Sequence, residues 1–152
     1  MRTALVHLAD WLSTCFRIGY LPYAPGTWGS SAAVIVWRLL PDMELFRLAL
    51  IVIVIFLIGV ISSTIVVEKE MESDPSHVII DEWAGMWIAL LMIPNEWVWI
   101  GIAFALFRMF DILKVYPADR FEKLPGGWGI MMDDVVAGLY AGITTQALVL
   151  FL

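Results

Sequence analysis

Polar residues are so sparse along this chain that their positions mark its segments. The longest uninterrupted apolar run is Leu48–Val67, twenty uncharged residues, which as a helix would span about 30 Å and match a bilayer core. Three further segments are apolar but carry charges. Val78–Ile93 contains Asp81 and Glu82 and closes at Pro94-Asn95; Trp97–Val115 is apolar until Arg108 and Asp111; Ile130–Leu152 contains Asp133 and Asp134. A shorter stretch, Trp28–Leu40, ends before Pro41 and gives only about 20 Å of helix, enough for a thin span or a re-entrant half-helix. Near the N-terminus Leu5, Leu8, Leu12 and Cys15 or Phe16 recur at helical spacing, between Arg2, Thr3, His7, Asp10 and Ser13. That pattern predicts an amphipathic helix, either lying at a membrane interface or packed on the protein's own surface. Charged residues among its apolar ones, and no small-residue cleavage site, set it apart from a typical signal peptide. The expectation is an all-α, polytopic membrane protein: about five transmembrane or re-entrant helices and an N-terminal interfacial helix, in one domain over residues 1–152.

Composition agrees. Hydrophobic residues make up 61% of the 152, against about 45–50% in soluble domains, and mean hydropathy is +0.86. One cysteine, Cys15, and two histidines, His7 and His77, exclude an intramolecular disulfide and a Cys- or His-rich metal centre. A net charge of −6 argues against general nucleic-acid or polybasic-lipid binding. The basic residues arbitrate topology. With five crossings, Arg2, Arg17, Lys69, Arg108, Lys114, Arg120 and Lys123 share one side and only Arg38 and Arg47 the other, which favours that topology with the N-terminus in the cytoplasm. Every unusual polar residue then converges on the cytoplasmic face.

The acids carry the chemistry. Asp81, Gly85 and Ala89 fall four apart, as do Asp134, Gly138 and Gly142, and Asp133, Ala137 and Ala141. Small residues at this spacing let membrane helices approach closely, and here each stripe is headed by an acid. Asp111 has Arg108 and Lys114 at i−3 and i+3, so ion pairing alone could satisfy it. The pairs Asp81/Glu82 and Asp133/Asp134 have no basic neighbour in their own helices. A hard divalent cation held by oxygens is the natural compensation, and Mg²⁺ commonly combines a few carboxylates with substrate phosphate. The stretch "PGTWGS" (25–30) offers glycines around Thr27-Trp28, with Ser30 and Ser31 expected at a helix start, where backbone amides and hydroxyls suit an anion; an ordinary Pro-Gly turn with a serine cap would read the same. With Lys114, Arg120 and Lys123 nearby, the set points to phosphate chemistry at a membrane surface. No Cys-x5-Arg loop, Asp-x-Asp pair or phosphohistidine pair is present, leaving metal-assisted attack by water with a carboxylate as base.

Four blocks, "LPYAPGTWGS" (21–30), "DEWAG" (81–85), "FRMFDILK" (107–114) and "PGGWGIMMDDVVAGLYAG" (125–142), resemble in order the signatures of the phosphatidylglycerophosphatase A family. The resemblance implies a bacterial inner-membrane, Mg²⁺-dependent phosphatase that converts phosphatidylglycerophosphate to phosphatidylglycerol, the precursor of cardiolipin. It implies a metal cluster of Asp81, Glu82, Asp133 and Asp134 with Asp111, and substrate contacts from Thr27, Ser30, Arg108, Lys114, Arg120 and Lys123. One departure is that Val115 and Tyr116 separate Lys114 from Pro117, where the family often has proline directly after the lysine. Two other classes remain open. A phosphatidyltransferase would also gather acids and Mg²⁺, but its Asp-Gly-x2-Ala-Arg signature is absent and "DDVVAG" only echoes it. A cation transporter usually holds its acids nearer the membrane midplane.

Overall fold

The computed structural model describes residues 2–151, with backbone alone at Arg2. Leu152, the expected end of the last segment, and the Arg2 side chain, expected on the polar face of the first helix, lie outside the described residues. The chain is helical throughout: α1 (Arg2–Ser13), α2 (Pro25–Leu39), α3 (Leu45–Glu70), α4 (Ile80–Leu91), α5 (Trp97–Leu113), the short α6 (Ala118–Phe121) and α7 (Gly127–Phe151). A 3-10 turn, Ile18–Tyr20, follows α1. Among the described residues there is no strand.

Two helices, α3 of 26 residues and α7 of 25, are long and apolar enough to cross a membrane. Along α3 the side chains of Leu50, Ile53, Val54, Leu57, Ile58 and Ile61 point outward and are exposed. A contiguous aliphatic face of this kind is unfavourable in water by roughly 25 cal/mol per Å², and its natural surrounding is lipid. The short α4 is the opposite case. It packs against α2, α3, α5 and α7, and Ala84, Gly85, Met86, Trp87, Ala89 and Leu90 are all buried. The indole of Trp87 donates to the Ala33 carbonyl at 2.9 Å, which satisfies its polar edge inside an apolar core. With its acids at one end, α4 is the axis on which the site is built.

The amphipathic first helix docks on α3 with a face turned away from Leu5 and Leu8 of the expected apolar stripe, whose later members Leu12 and Cys15 are half-buried and buried. Ala9, Asp10 and Ser13 are buried, whereas Leu5, Leu8, Trp11 and Phe16 are exposed. The buried Asp10 explains the choice. Its Oδ1 accepts the Tyr20 hydroxyl at 2.6 Å, and Arg17 approaches its other oxygen at 4.0 Å. The hydroxyls of Ser13 and Thr14 donate to the Asp10 carbonyl, so the polar groups are satisfied within the protein and the leucines are left for an outer, apolar medium. Burial and the nearby charge of Glu82 push the Cys15 thiol up from its ordinary value, making it a poor nucleophile.

The second helix begins earlier than its sequence suggests. Ala24 is its N-cap and Pro25 occupies the first turn, a position where the missing proline N–H costs nothing. Ser30 and Ser31 therefore lie inside the helix, not at its start, and their hydroxyls donate back to the carbonyls of Gly26 and Thr27 at 2.8 and 2.7 Å. Serine hydroxyls can satisfy an i−4 carbonyl as readily as a free helix end, which is why the local pattern misplaced the boundary.

Candidate active site

The site forms where α4 and α7 meet. The two helices run in parallel along a seam with no room for side chains. A Cβ on Gly138 would overlap the Gly85 carbonyl, and one on Gly142 would lie 3.2 Å from the Ala89 carbonyl. The same sequence offset relates Gly85 to Gly138, Ala89 to Gly142 and Asp81 to Asp134. One turn above the glycines, the two aspartates are therefore brought face to face. Carboxylate oxygens of Asp81, Glu82 and Asp134 all lie within 4.8 Å of one another.

Asp134 is only 2% exposed, and Asp81 and Glu82 are half-buried. Asp81 Oδ1, Glu82 Oε2 and Asp134 Oδ2 are buried with no hydrogen-bond partner among the protein atoms. Three carboxylates gathered this closely, each with an unsatisfied buried oxygen, would cost several kcal/mol as bare anions. An all-oxygen donor set with this charge fits a hard divalent cation such as Mg²⁺.

Asp133 and Asp111 take different places. Adjacent positions on a helix point about 100° apart, so Asp133 turns off the seam. Its Oδ1 accepts the Asp134 backbone N–H at 3.0 Å, and its Oδ2 lies 3.3 Å from Lys114 Nζ. Asp111 pairs with Arg108 Nη1 at 2.9 Å and its carboxyl also adjoins that of Asp134, so it borders the three-carboxylate group. Arg108 is the hub of the opposite wall. Its Nη1 also lies 3.9 Å from Glu82 Oε1 and donates to Ser30 Oγ at 3.4 Å, while its buried Nε has no partner. Gly26, in the first turn of α2, presses on this wall: a Cβ there would overlap Glu82 and sit 2.9 Å from Arg108. A larger residue there would push the Glu82 carboxylate and the Arg108 guanidinium from these positions.

Lys114 ends α5 with a left-handed backbone, φ +44°, a conformation that costs a non-glycine residue about 1–2 kcal/mol. From there its ammonium reaches both Glu122 Oε1, at 2.9 Å, and Asp133. Burial alone would lower its pKa, but the hydrogen bond to Glu122 and the charge of Asp133 outweigh it, and the lysine is held above its ordinary value. Strain retained at a charged residue of this kind is a common mark of a functional position.

Of the expected substrate contacts, Arg108, Ser30 and Lys114 adjoin the acids. Thr27 is exposed on the first turn of α2. Arg120 is exposed and stacks over Tyr116, 5.0 Å from the ring centre. Lys123 is exposed and lines a cavity that Asp133 also borders. The sequence reading did not single out Glu122, or Ser73 and Asp74 of the same cavity. They sit in polar loops with no local motif, and only the folding of the α5–α7 connection brings Glu122 back onto Lys114.

A family model described as Phosphatidylglycerophosphatase A matches residues 11–149. Among curated proteins, one from Bacteroides thetaiotaomicron, provisionally named a phosphatidylinositol-3-phosphatase, is 42% identical over 139 residues, 87% of each chain. Proteins named phosphatidylglycerophosphatase A from Haemophilus influenzae and Escherichia coli are 40% and 37% identical, over 94% and 87% of this chain and 88% and 78% of their own. No solved structure matches the chain significantly.

Proposed function

We propose that this chain, which belongs to the phosphatidylglycerophosphatase A family, is a phosphatase that hydrolyses the terminal phosphate of phosphatidylglycerophosphate, leaving phosphatidylglycerol, in a Mg²⁺-dependent reaction. The observation that carries the reading is the group of three carboxylates with buried, unpartnered oxygens, set beside Arg108 in a chain two of whose curated relatives bear that enzymatic name. Asp81, Glu82 and Asp134 would hold Mg²⁺. When bound, the ion would neutralise phosphate charge and lower the pKa of a water.

The chain's own groups do the rest. Arg108, fixed by Asp111 and close to Ser30, offers its guanidinium charge and its unpartnered Nε–H to a phosphate held at the carboxylate group. Lys114 supplies a second positive charge on the α7 side. Water adds to phosphorus and gives up its proton to a carboxylate of the site. The bond between phosphorus and the glycerol oxygen breaks, and that oxygen leaves as the alcohol with the proton that the carboxylate took from water, which restores the carboxylate.

The reading extends to placement. Five crossings with the basic loops inside put this face of the protein at the cytoplasmic leaflet of a bacterial inner membrane, where a charged headgroup reaches a shallow site while the acyl chains stay in lipid. α2, α4 and α5 are shorter than a usual span; α4 is sheathed by its neighbours, so it need not meet lipid along its whole length. The phosphatidyltransferase and transporter alternatives are less favoured, because Arg108 and Lys114 beside the acids suit a dianionic phosphate monoester better than an alcohol acceptor or a conducted cation.

A second reading, dephosphorylation of a phosphatidylinositol 3-phosphate, draws on the name of the 42%-identical relative. Both readings share a phosphate monoester on a polyol carried by a lipid. The purified protein, given each lipid in mixed micelles with Mg²⁺, should release phosphate and phosphatidylglycerol in equal amounts from phosphatidylglycerophosphate. Release from the inositol lipid alone would favour the second reading, and release from neither would refute both.

A further inference from the structure

Beside the carboxylate group a cavity of about 560 Å³ opens between the loop after α3 and the start of α7. Ser73 and Asp74 of that loop, Glu122 and Lys123 ahead of α7, and Ile130 and Asp133 of α7 line it. Asp133 is the shared wall. One of its oxygens accepts the N–H of Asp134, which belongs to the three-carboxylate group, and the other meets Lys114. Lys114 in turn is tied to Glu122, so the cavity and the acid group are joined by a continuous set of fixed charges.

The character of the lining limits what can bind. Its carboxylates are Asp74, Glu122 and Asp133, and its only lining ammonium is Lys123. Lys114, although adjacent, is already engaged by two of the three acids. A free phosphate would therefore meet net repulsion here, in contrast to the Arg108 wall. Carboxylates and a serine hydroxyl are instead good acceptors for alcohol O–H groups. The volume lies within the roughly 300–1,000 Å³ typical of small-ligand sites, sufficient for a three-carbon polyol or a cyclitol ring.

We propose that this cavity is the polyol compartment of the active site: it holds the hydroxyl-bearing linker between the scissile phosphate and the rest of the lipid, and Ser73, Asp74 and Glu122 set which polyol is accepted. The inference rests on the reading of the chain as a lipid polyol-phosphate phosphatase and deepens it. With the phosphate at the acid group, the linker runs past Asp133 into the cavity, and Lys123 at the exposed side lies where the anionic diester of the same lipid would emerge. Polyol contacts made equally in the ground and transition states act on KM and leave kcat alone.

The test uses the full-length protein with Asp74→Asn and Ser73→Val, both at exposed loop positions where folding should survive. Phosphate release is followed from phosphatidylglycerophosphate and from phosphatidylinositol 3-phosphate at saturating Mg²⁺, with inorganic phosphate as an inhibitor. For Asp74→Asn, KM for the better lipid should rise roughly tenfold and kcat should change less than about twofold. The ratio of kcat/KM between the two lipids should shift, and inhibition by inorganic phosphate should stay as in the wild type. An unmoved KM and ratio in both variants overturns the proposal. So does phosphate inhibition that weakens in step with KM, which would make the cavity a phosphate site. A raised Mg²⁺ requirement with KM unchanged would make it a cation site and overturn it too. If the wild type turns over neither lipid, the functional reading fails and this inference with it; wild-type turnover with unmoved variants removes this inference alone.

Discussion

Asp133 and Asp134 are neighbours in the chain but have different surroundings, so their removal should have different consequences. Asp134 stands in the buried group with Asp81 and Glu82. Asp134→Asn or Asp81→Asn should lower kcat by about 10²-fold or more in a protein that still folds, since size is kept and an unpaired buried charge is removed. Asp133→Asn should instead act through Lys114, raising KM more than it lowers kcat; a variant with wild-type kinetics would remove Asp133 from the site. Lys114 itself gives a pH test. Its pKa is held above the ordinary lysine value, so its ion pairs contribute fully below about pH 10.4 and are lost only as pH rises through the higher folded value. KM should therefore show no lysine limb below about pH 10, and Lys114→Ala should raise KM across that whole range. The carboxylates were legible in the sequence because acids without basic neighbours stand out in apolar helices. Which of two adjacent aspartates faces α4 was not, because the seam's exact azimuth depends on how the helices pack.

At the scale of elements, the central contact is the α4–α7 seam, whose small residues were visible as stripes four apart. Gly138 faces the Gly85 carbonyl with no space for a Cβ, whereas Gly101 of α5 has nothing within 4 Å of its own. Gly138→Val should separate the helices, destabilise the protein by about 1–3 kcal/mol or more and abolish turnover by parting Asp81 from Asp134. Gly101→Ala should change neither. Thermal unfolding in detergent and phosphate release together check the pair, and equal tolerance at both positions would contradict a backbone-tight seam. The helices themselves were largely legible: the expected Leu48–Val67 lies within α3, and Trp97–Val115 nearly coincides with α5. The start of α2 was not, because serine hydroxyls serve a helix interior as well as its end. The outward Leu5, Leu8 and Phe16 of α1 fit the interfacial one of its two expected placements; the pattern alone could not choose between them, since the docking was decided by Asp10 finding Tyr20.

For the whole molecule, the account joins a membrane orientation to a chemistry, and the two can be tested separately. The proposed orientation is argued from the distribution of basic residues among the loops. In a Cys15→Ala background, Arg120→Cys should react with a membrane-impermeant thiol reagent in inside-out vesicles and not in right-side-out ones. The reverse pattern would move the site to the other leaflet and leave the carboxylate chemistry standing. The chemistry rests on Asp81, Glu82 and Asp134 holding a divalent cation that the reaction needs. The most direct measurement is the Mg²⁺ dependence of phosphate release from phosphatidylglycerophosphate by the purified wild type and by Asp134→Asn. Release by the wild type should vanish in EDTA, return with saturable dependence on added Mg²⁺, and stay at least about 10²-fold lower in the variant at every Mg²⁺ concentration. Full release in EDTA, or a variant that follows the wild-type Mg²⁺ curve, would contradict the account.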